Sequence, residues 1–120
     1  MINRVTIIGA GNLTSSLLTA IHRNRFSYKI DVIDTNKKKK FSLKKFNVNF
    51  FSSYTDVITK SNLIILMVKP NNYIEVIKEI NPFLSKKMIL VSFMAGIECS
   101  SIKNKLSRNI PVIRCMTNIT

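Results

Sequence analysis

Three groups of residues have types and spacing that suit chemistry. The segment Gly9-Ala10-Gly11-Asn12-Leu13-Thr14 follows the apolar run Val5 to Ile8 directly. It opens a stretch, Asn12 to about Arg25, in which Leu13, Leu17, Leu18 and Ile21 recur at helical spacing. A strand, a glycine-rich turn and a helix in that order make an anion-binding loop. Gly9 serves the tight turn, Gly11 lets the backbone approach a pyrophosphate, and the helix N-terminus offers unpaired amides. Thr14 stands where the third glycine of such loops usually sits, and its β-branched bulk predicts a helix held slightly off the strand.

The second group is Asp34-Thr35-Asn36 with Lys37 to Lys40. An acid at the end of the second strand accepts ribose hydroxyls and favours NAD, whereas cations just beyond it suit the 2′-phosphate of NADP. These residues leave both coenzymes open. The third group, Val68-Lys69-Pro70, closes the fourth strand, beside the crevice where such sheets bind ligands. There Lys69 either holds a phosphate or a pocket carbonyl or is simply a surface residue, and Pro70 fixes the turn.

The elements that must position these groups alternate along the chain. Strands are predicted at Val5 to Ile8, Lys29 to Ile33, Val48 to Phe51, Leu63 to Val68, Met88 to Phe93 and Val112 to Cys115. Between them lie the first helix, a short helix or loop over Lys37 to Lys45, and a helix opened by a Ser53–Asp56 capping box. A further helix carries the face Tyr73, Val76, Ile77 and Ile80 and is stopped by Pro82, and another spans Glu98 to Leu106. This alternation predicts an α/β fold, a doubly wound, mostly parallel six-stranded Rossmann sheet with helices on both faces.

Composition excludes several other classes. A single histidine and two cysteines without CxxC spacing leave no zinc site, and no metal is expected. Cys99 and Cys115 read as small, buried or half-buried thiols. The longest apolar runs fall far short of the ~20 residues that a membrane span requires. With no signal-peptide pattern, the expected location is cytoplasmic and no membrane partner is expected. The net charge of +13 comes mostly from lysine, accompanied by many asparagines and isoleucines, as an A+T-rich coding sequence produces. No nucleic-acid-binding motif accompanies it, so nucleic acid is not the expected partner.

Four segments together resemble the pyrroline-5-carboxylate reductase family. Ile8-Gly9-Ala10-Gly11-Asn12-Leu13 is similar to its first glycine loop, and Val68-Lys69-Pro70 to the turn after its fourth strand. Ser92-Phe93-Met94-Ala95-Gly96-Ile97 resembles its strand-5 serine-to-Ala-Gly-Ile stretch. Val112-Ile113-Arg114-Cys115-Met116-Thr117-Asn118 resembles its Val-Val-Arg-x-Met-Pro-Asn segment.

The resemblance implies reduction of 1-pyrroline-5-carboxylate to L-proline by hydride transfer from NADPH (or NADH). It implies that the glycine loop holds pyrophosphate and that Asp34, Thr35 and Asn36 meet the adenosine ribose. Lys69, Pro70, Ala95, Gly96 and Asn118 would line the nicotinamide side. It also implies that residues 1–120 form the coenzyme domain, with the family's dimerisation and substrate domain absent. The isolated chain is then expected to be nearly inactive, with homo-oligomers forming only through that domain.

Met67 and Met94 replace residues that are commonly small in the family and are expected to crowd the coenzyme. Tyr54 stands where an asparagine is common near the adenosine, and Thr117, Ile119 and Thr120 replace Pro, Thr and Pro. No residue qualifies as a proton donor to the imine, and Arg114 reads as a strand-end residue. The alternatives are a degenerate remnant or basic binding module without catalytic activity, or the coenzyme domain of another NADP-dependent imine reductase.

Overall fold

A computed structural model describes residues 3–116. Six strands, β1 (Arg4–Ile8), β2 (Lys29–Ile33), β3 (Asn49–Phe51), β4 (Leu63–Leu66), β5 (Ile89–Ser92) and β6 (Val112–Arg114), form one sheet in the order β3-β2-β1-β4-β5-β6. Every neighbouring pair is parallel. The helices are α1 (Asn12–Arg23), α2 (Tyr73–Ile80) and α3 (Cys99–Lys103), joined by 3₁₀ turns.

Both faces of the sheet are covered, which is why its strands read as nearly continuous apolar runs. Alternation sends Val5, Ile7, Val32 and Ile65 to the face that packs on Leu18 of α1 and on Leu43. Ile8, Ile33, Ile64 and Leu66 go to the other face, against Val76, Ile77 and Ile80 of α2 and Ile102 of α3. Each such side chain removed from water contributes roughly 1.5–3 kcal/mol. At the strands' N-terminal ends the buried Asp31 is fully paired. Its Oδ2 lies 3.0 Å from both Nε and Nη2 of Arg4, and Oδ1 accepts from Asn49 Nδ2 at 3.1 Å.

Several boundaries differ from the sequence reading, each for a local reason. The helix over Asp56–Lys60 is a single 3₁₀ turn capped by Thr55, not Ser53, because the Thr55 hydroxyl reaches Val57 N at 3.2 Å. With β4 starting at Leu63, only that turn fits. The helix α1 stops at Arg23 because Arg25 takes a left-handed conformation, φ +58°, that closes the last turn. Residues 37–43 form a 3₁₀ helix capped by Asn36. Thr14 sits at the junction of β1 and α1. It is fully buried, and its hydroxyl donates to the Gly9 carbonyl.

Candidate functional site

Register brings the ends of β1, β2 and β4 to one line, with Ile8 level with Ile33 and with Leu66. The residues just beyond are stitched together. Gly9 N donates to Ile33 O at 2.7 Å, and Met67 N to Ile8 O at 2.8 Å. Gly9 turns with φ +106°, and a Cβ there would sit 2.5 Å from the Met67 carbonyl oxygen. Only glycine lets the chain pass so close to β4.

Gly11 differs from Gly9. Its φ is −87°, and a Cβ there would meet nothing within 4 Å. The space above the loop is therefore open. Gly11 is also the N-cap of α1, with no side-chain cap and no acid in the first turn, so no residue of the helix itself compensates the positive end of its dipole. The residues thus fit the pyrophosphate of a dinucleotide.

Around this loop lies a cavity of about 460 Å³. Of the residues expected from sequence it gathers Ile8, Gly9, Ala10, Gly11, Asp34, Thr35, Val68 and Lys69. Asn12 and Leu13 begin α1 beside it and do not line it. Asn36 is used locally: its side chain accepts from Lys38 N at 3.1 Å, and its own N–H donates to Asp34 Oδ1 at 2.9 Å. Pro70 starts the 3₁₀ turn after Lys69. Ala95 and Gly96 lie on the turn that follows β5, outside the cavity. Asn118 lies outside the described residues. Met94 is buried in the core and does not crowd the site, whereas Met67 is half-buried and lines it. Arg114 is exposed on β6, and Cys99 and Cys115 are half-buried.

The cavity also recruits residues that were not singled out for the site: Ile33, Asn72, Glu75 and Glu79. The two glutamates are one helical turn apart on α2, a helix read from its apolar stripe alone. Their i, i+4 spacing was a legible signal for a shared second face. Tyr54 lines the cavity as well, and its phenol is held above the usual range by burial first, then by the nearby charges of Glu79 and Asp34. Of Lys37 to Lys40, only Lys39 lines it. Among the described residues no cluster of acids, histidines and cysteines suits a metal ion, and no helix is long and apolar enough to cross a membrane.

Comparison with known proteins gives a consistent likeness. A family model described as NADP oxidoreductase, coenzyme F420-dependent, matches residues 4–96. The pyrroline-5-carboxylate reductase of Pseudomonas aeruginosa is 28% identical over 117 residues, covering 96% of this chain and 43% of the relative. A pyrroline-5-carboxylate reductase from Coxiella burnetii superposes with a TM-score of 0.86 at 22% identity, covering 95% of this chain and 43% of that one. The Plasmodium falciparum pyrroline carboxylate reductase, solved with NADP bound, gives 0.77 at 21% identity, with 94% and 41% covered. These two structures share the doubly wound fold. The chain spans less than half the length of the relatives that it matches.

Proposed function

Because the chain belongs to the family of coenzyme F420-dependent NADP oxidoreductases, we propose that its cavity holds the adenosine and pyrophosphate of NADP(H) and that it is the coenzyme-binding part of a pyrroline-5-carboxylate reductase. The observation that carries the reading is the open space over Gly11 beside an uncapped helix N-terminus. At Gly9, by contrast, a Cβ would sit 2.5 Å from the Met67 carbonyl oxygen, so that glycine serves the close passage beside β4.

The loop amides and the start of α1 bind the pyrophosphate. Thr35 and Lys39 flank the ribose, and Ile33, Tyr54, Val68 and Val76 supply half-apolar walls for the adenine. Lys69 leads toward the nicotinamide end, with Ala95 and Gly96 on the turn beyond β5 on that side. When bound, the reduced nicotinamide supplies the hydride that converts 1-pyrroline-5-carboxylate to L-proline. The chain's own contribution is orientation.

The substrate pocket, the proton donor and dimerisation belong to a further helical domain. In this reading residues 1–120 are one coenzyme domain of a cytoplasmic biosynthetic enzyme, and alone they reduce little imine. A fluorescence titration with NADPH tests it. Saturable binding is expected, weakened by about tenfold or more in Gly11→Val, whose side chain fills the open space. Absence of saturable binding at millimolar coenzyme would end the reading, as would a Gly11→Val chain that binds normally.

A further inference from the structure

The end of β2 sends two opposed electrostatic signals, Asp34 against Lys37 to Lys40, and the structure separates their roles. Asp34 has a structural task whether or not a ribose is present, because each of its carboxylate oxygens accepts a backbone N–H. Oδ2 takes Ala10 N at 2.8 Å, and Oδ1 takes Asn36 N at 2.9 Å. The first bond ties the glycine loop to β2, and the second fixes the turn that leads into the 3₁₀ helix over Lys37–Leu43. Asp34 is thereby held by the protein on either side.

That same turn sorts the lysines. The Asn36 side chain caps the 3₁₀ helix through Lys38 N, and Lys39 N donates to Asn36 O at 3.0 Å. With about three residues per turn, Lys37 and Lys40 share one face, and Lys38 and Lys39 each take another. Lys39 is the one that lines the cavity, next to Thr35. The other charged groups lining the cavity are Lys69, Asp34, Glu75 and Glu79. Lys69 leaves β4, and the glutamates rise from α2. Lys39 is therefore the cation on the β2 side, where an adenosine ribose would lie.

We propose that Lys39 is the specificity-determining residue for the phosphorylated coenzyme, its ammonium meeting the 2′-phosphate, and that Asp34 is a positioning residue for the glycine loop. This rests on the coenzyme reading above. It deepens that reading by assigning the choice between NADPH and NADH to one side chain.

The test is a pair of titrations, with NADPH and with NADH, on the wild-type chain, Lys39→Gln, Lys37→Gln and Asp34→Asn. Lys39 is exposed, so its loss leaves the fold intact. Lys39→Gln is expected to weaken NADPH about tenfold, as loss of a charge-assisted contact does, with NADH unchanged. Lys37→Gln is expected to change neither. Asp34→Asn should weaken both coenzymes by a similar factor, since the loop they share is disturbed. 2′,5′-ADP should compete with NADPH less well in Lys39→Gln than in the wild type, whereas 5′-AMP should compete equally in both.

Equal effects of Lys39→Gln on both coenzymes, or none on either, would overturn the assignment. So would an Asp34→Asn chain that binds NADPH more tightly and NADH less. A wild-type chain that binds neither coenzyme fails at the earlier reading and takes this one with it. Selective loss in Lys39→Gln alone can establish the inference.

Discussion

The two ends of helix α1, one following β1 and the other leading into β2, are finished in opposite ways. At its N-terminus the chain withdraws side chains: Gly11 carries none, no side chain caps the first turn, and the space above is open. At its C-terminus the carbonyls are closed by the chain itself. Asn24 N and Asn24 Nδ2 both bond Ala20 O, Arg25 N bonds His22 O, and Phe26 N bonds Ile21 O.

There a second hollow of about 310 Å³ is walled by side chains, among them His22, Arg25, Phe26, Tyr28 and Phe46. One end thus presents backbone to an anion, and the other presents rings and cations over a satisfied backbone. On the coenzyme reading proposed above, the contrast teaches that a phosphate site depends on what is left out, the Cβ and the cap, more than on positive side chains.

The largest test of this contrast is at Gly9. Gly9→Ala forces a Cβ against the Met67 carbonyl at φ +106° and is expected to cost about 3 kcal/mol in chemical denaturation. Gly11→Ala, in open space at negative φ, should change stability by less than about 0.5 kcal/mol. Equal losses at the two positions would dissolve the distinction between a glycine kept for the fold and one kept for the ligand.

A smaller effect of opposite sign is expected at the other end of α1. Arg25 sits in the left-handed region where glycine is the usual closing residue. Arg25→Gly should therefore stabilise the chain by about 1 kcal/mol, visible as a rise in Tm. A fall would show that the arginine side chain contributes more at that hollow than its backbone strain costs.

The smallest effect concerns Tyr54. Because its pKa is raised in the fold by burial, then by Glu79 and by Asp34, the folded chain holds that proton more tightly than the unfolded chain does. The associated stability is complete below the ordinary value of 10.0 and is lost as pH rises beyond it. Unfolding curves of the wild type and Tyr54→Phe should run parallel below about pH 9 and separate above pH 10, with the wild type losing stability faster. Parallel curves throughout would remove Tyr54 from the acidic side of the cavity.

The chain's own pattern determined a great deal. Buried apolar runs, spaced by helical stripes and by glycine and proline punctuation, specify six strands in alternation with helices. Alternation of that kind yields a parallel sheet covered on both faces. The glycine loop was legible because its chemistry is local: strand, turn and helix start are contiguous from Val5 to Thr14. The ends of elements were less legible. Thr55 rather than Ser53 caps its turn, and Arg25 ends α1, because each outcome turns on single hydrogen bonds and one backbone angle.

What only the tertiary structure decided is which distant residues share the cavity and what they are already bound to. Tyr54, Asn72, Glu75 and Glu79 reach the glycine loop through the register of β1 with β4 and the crossing of α2 over the sheet. Asp34, read from type and position as a ribose ligand, lines the cavity and also accepts N–H groups from Ala10 and Asn36, which no local pattern showed. One lysine of four enters the site because a capped 3₁₀ turn sets its direction. Periodicity carries information about which face a residue occupies. Partners across a sheet and directions at a turn depend on contacts between segments far apart in the chain, and no local pattern encodes them.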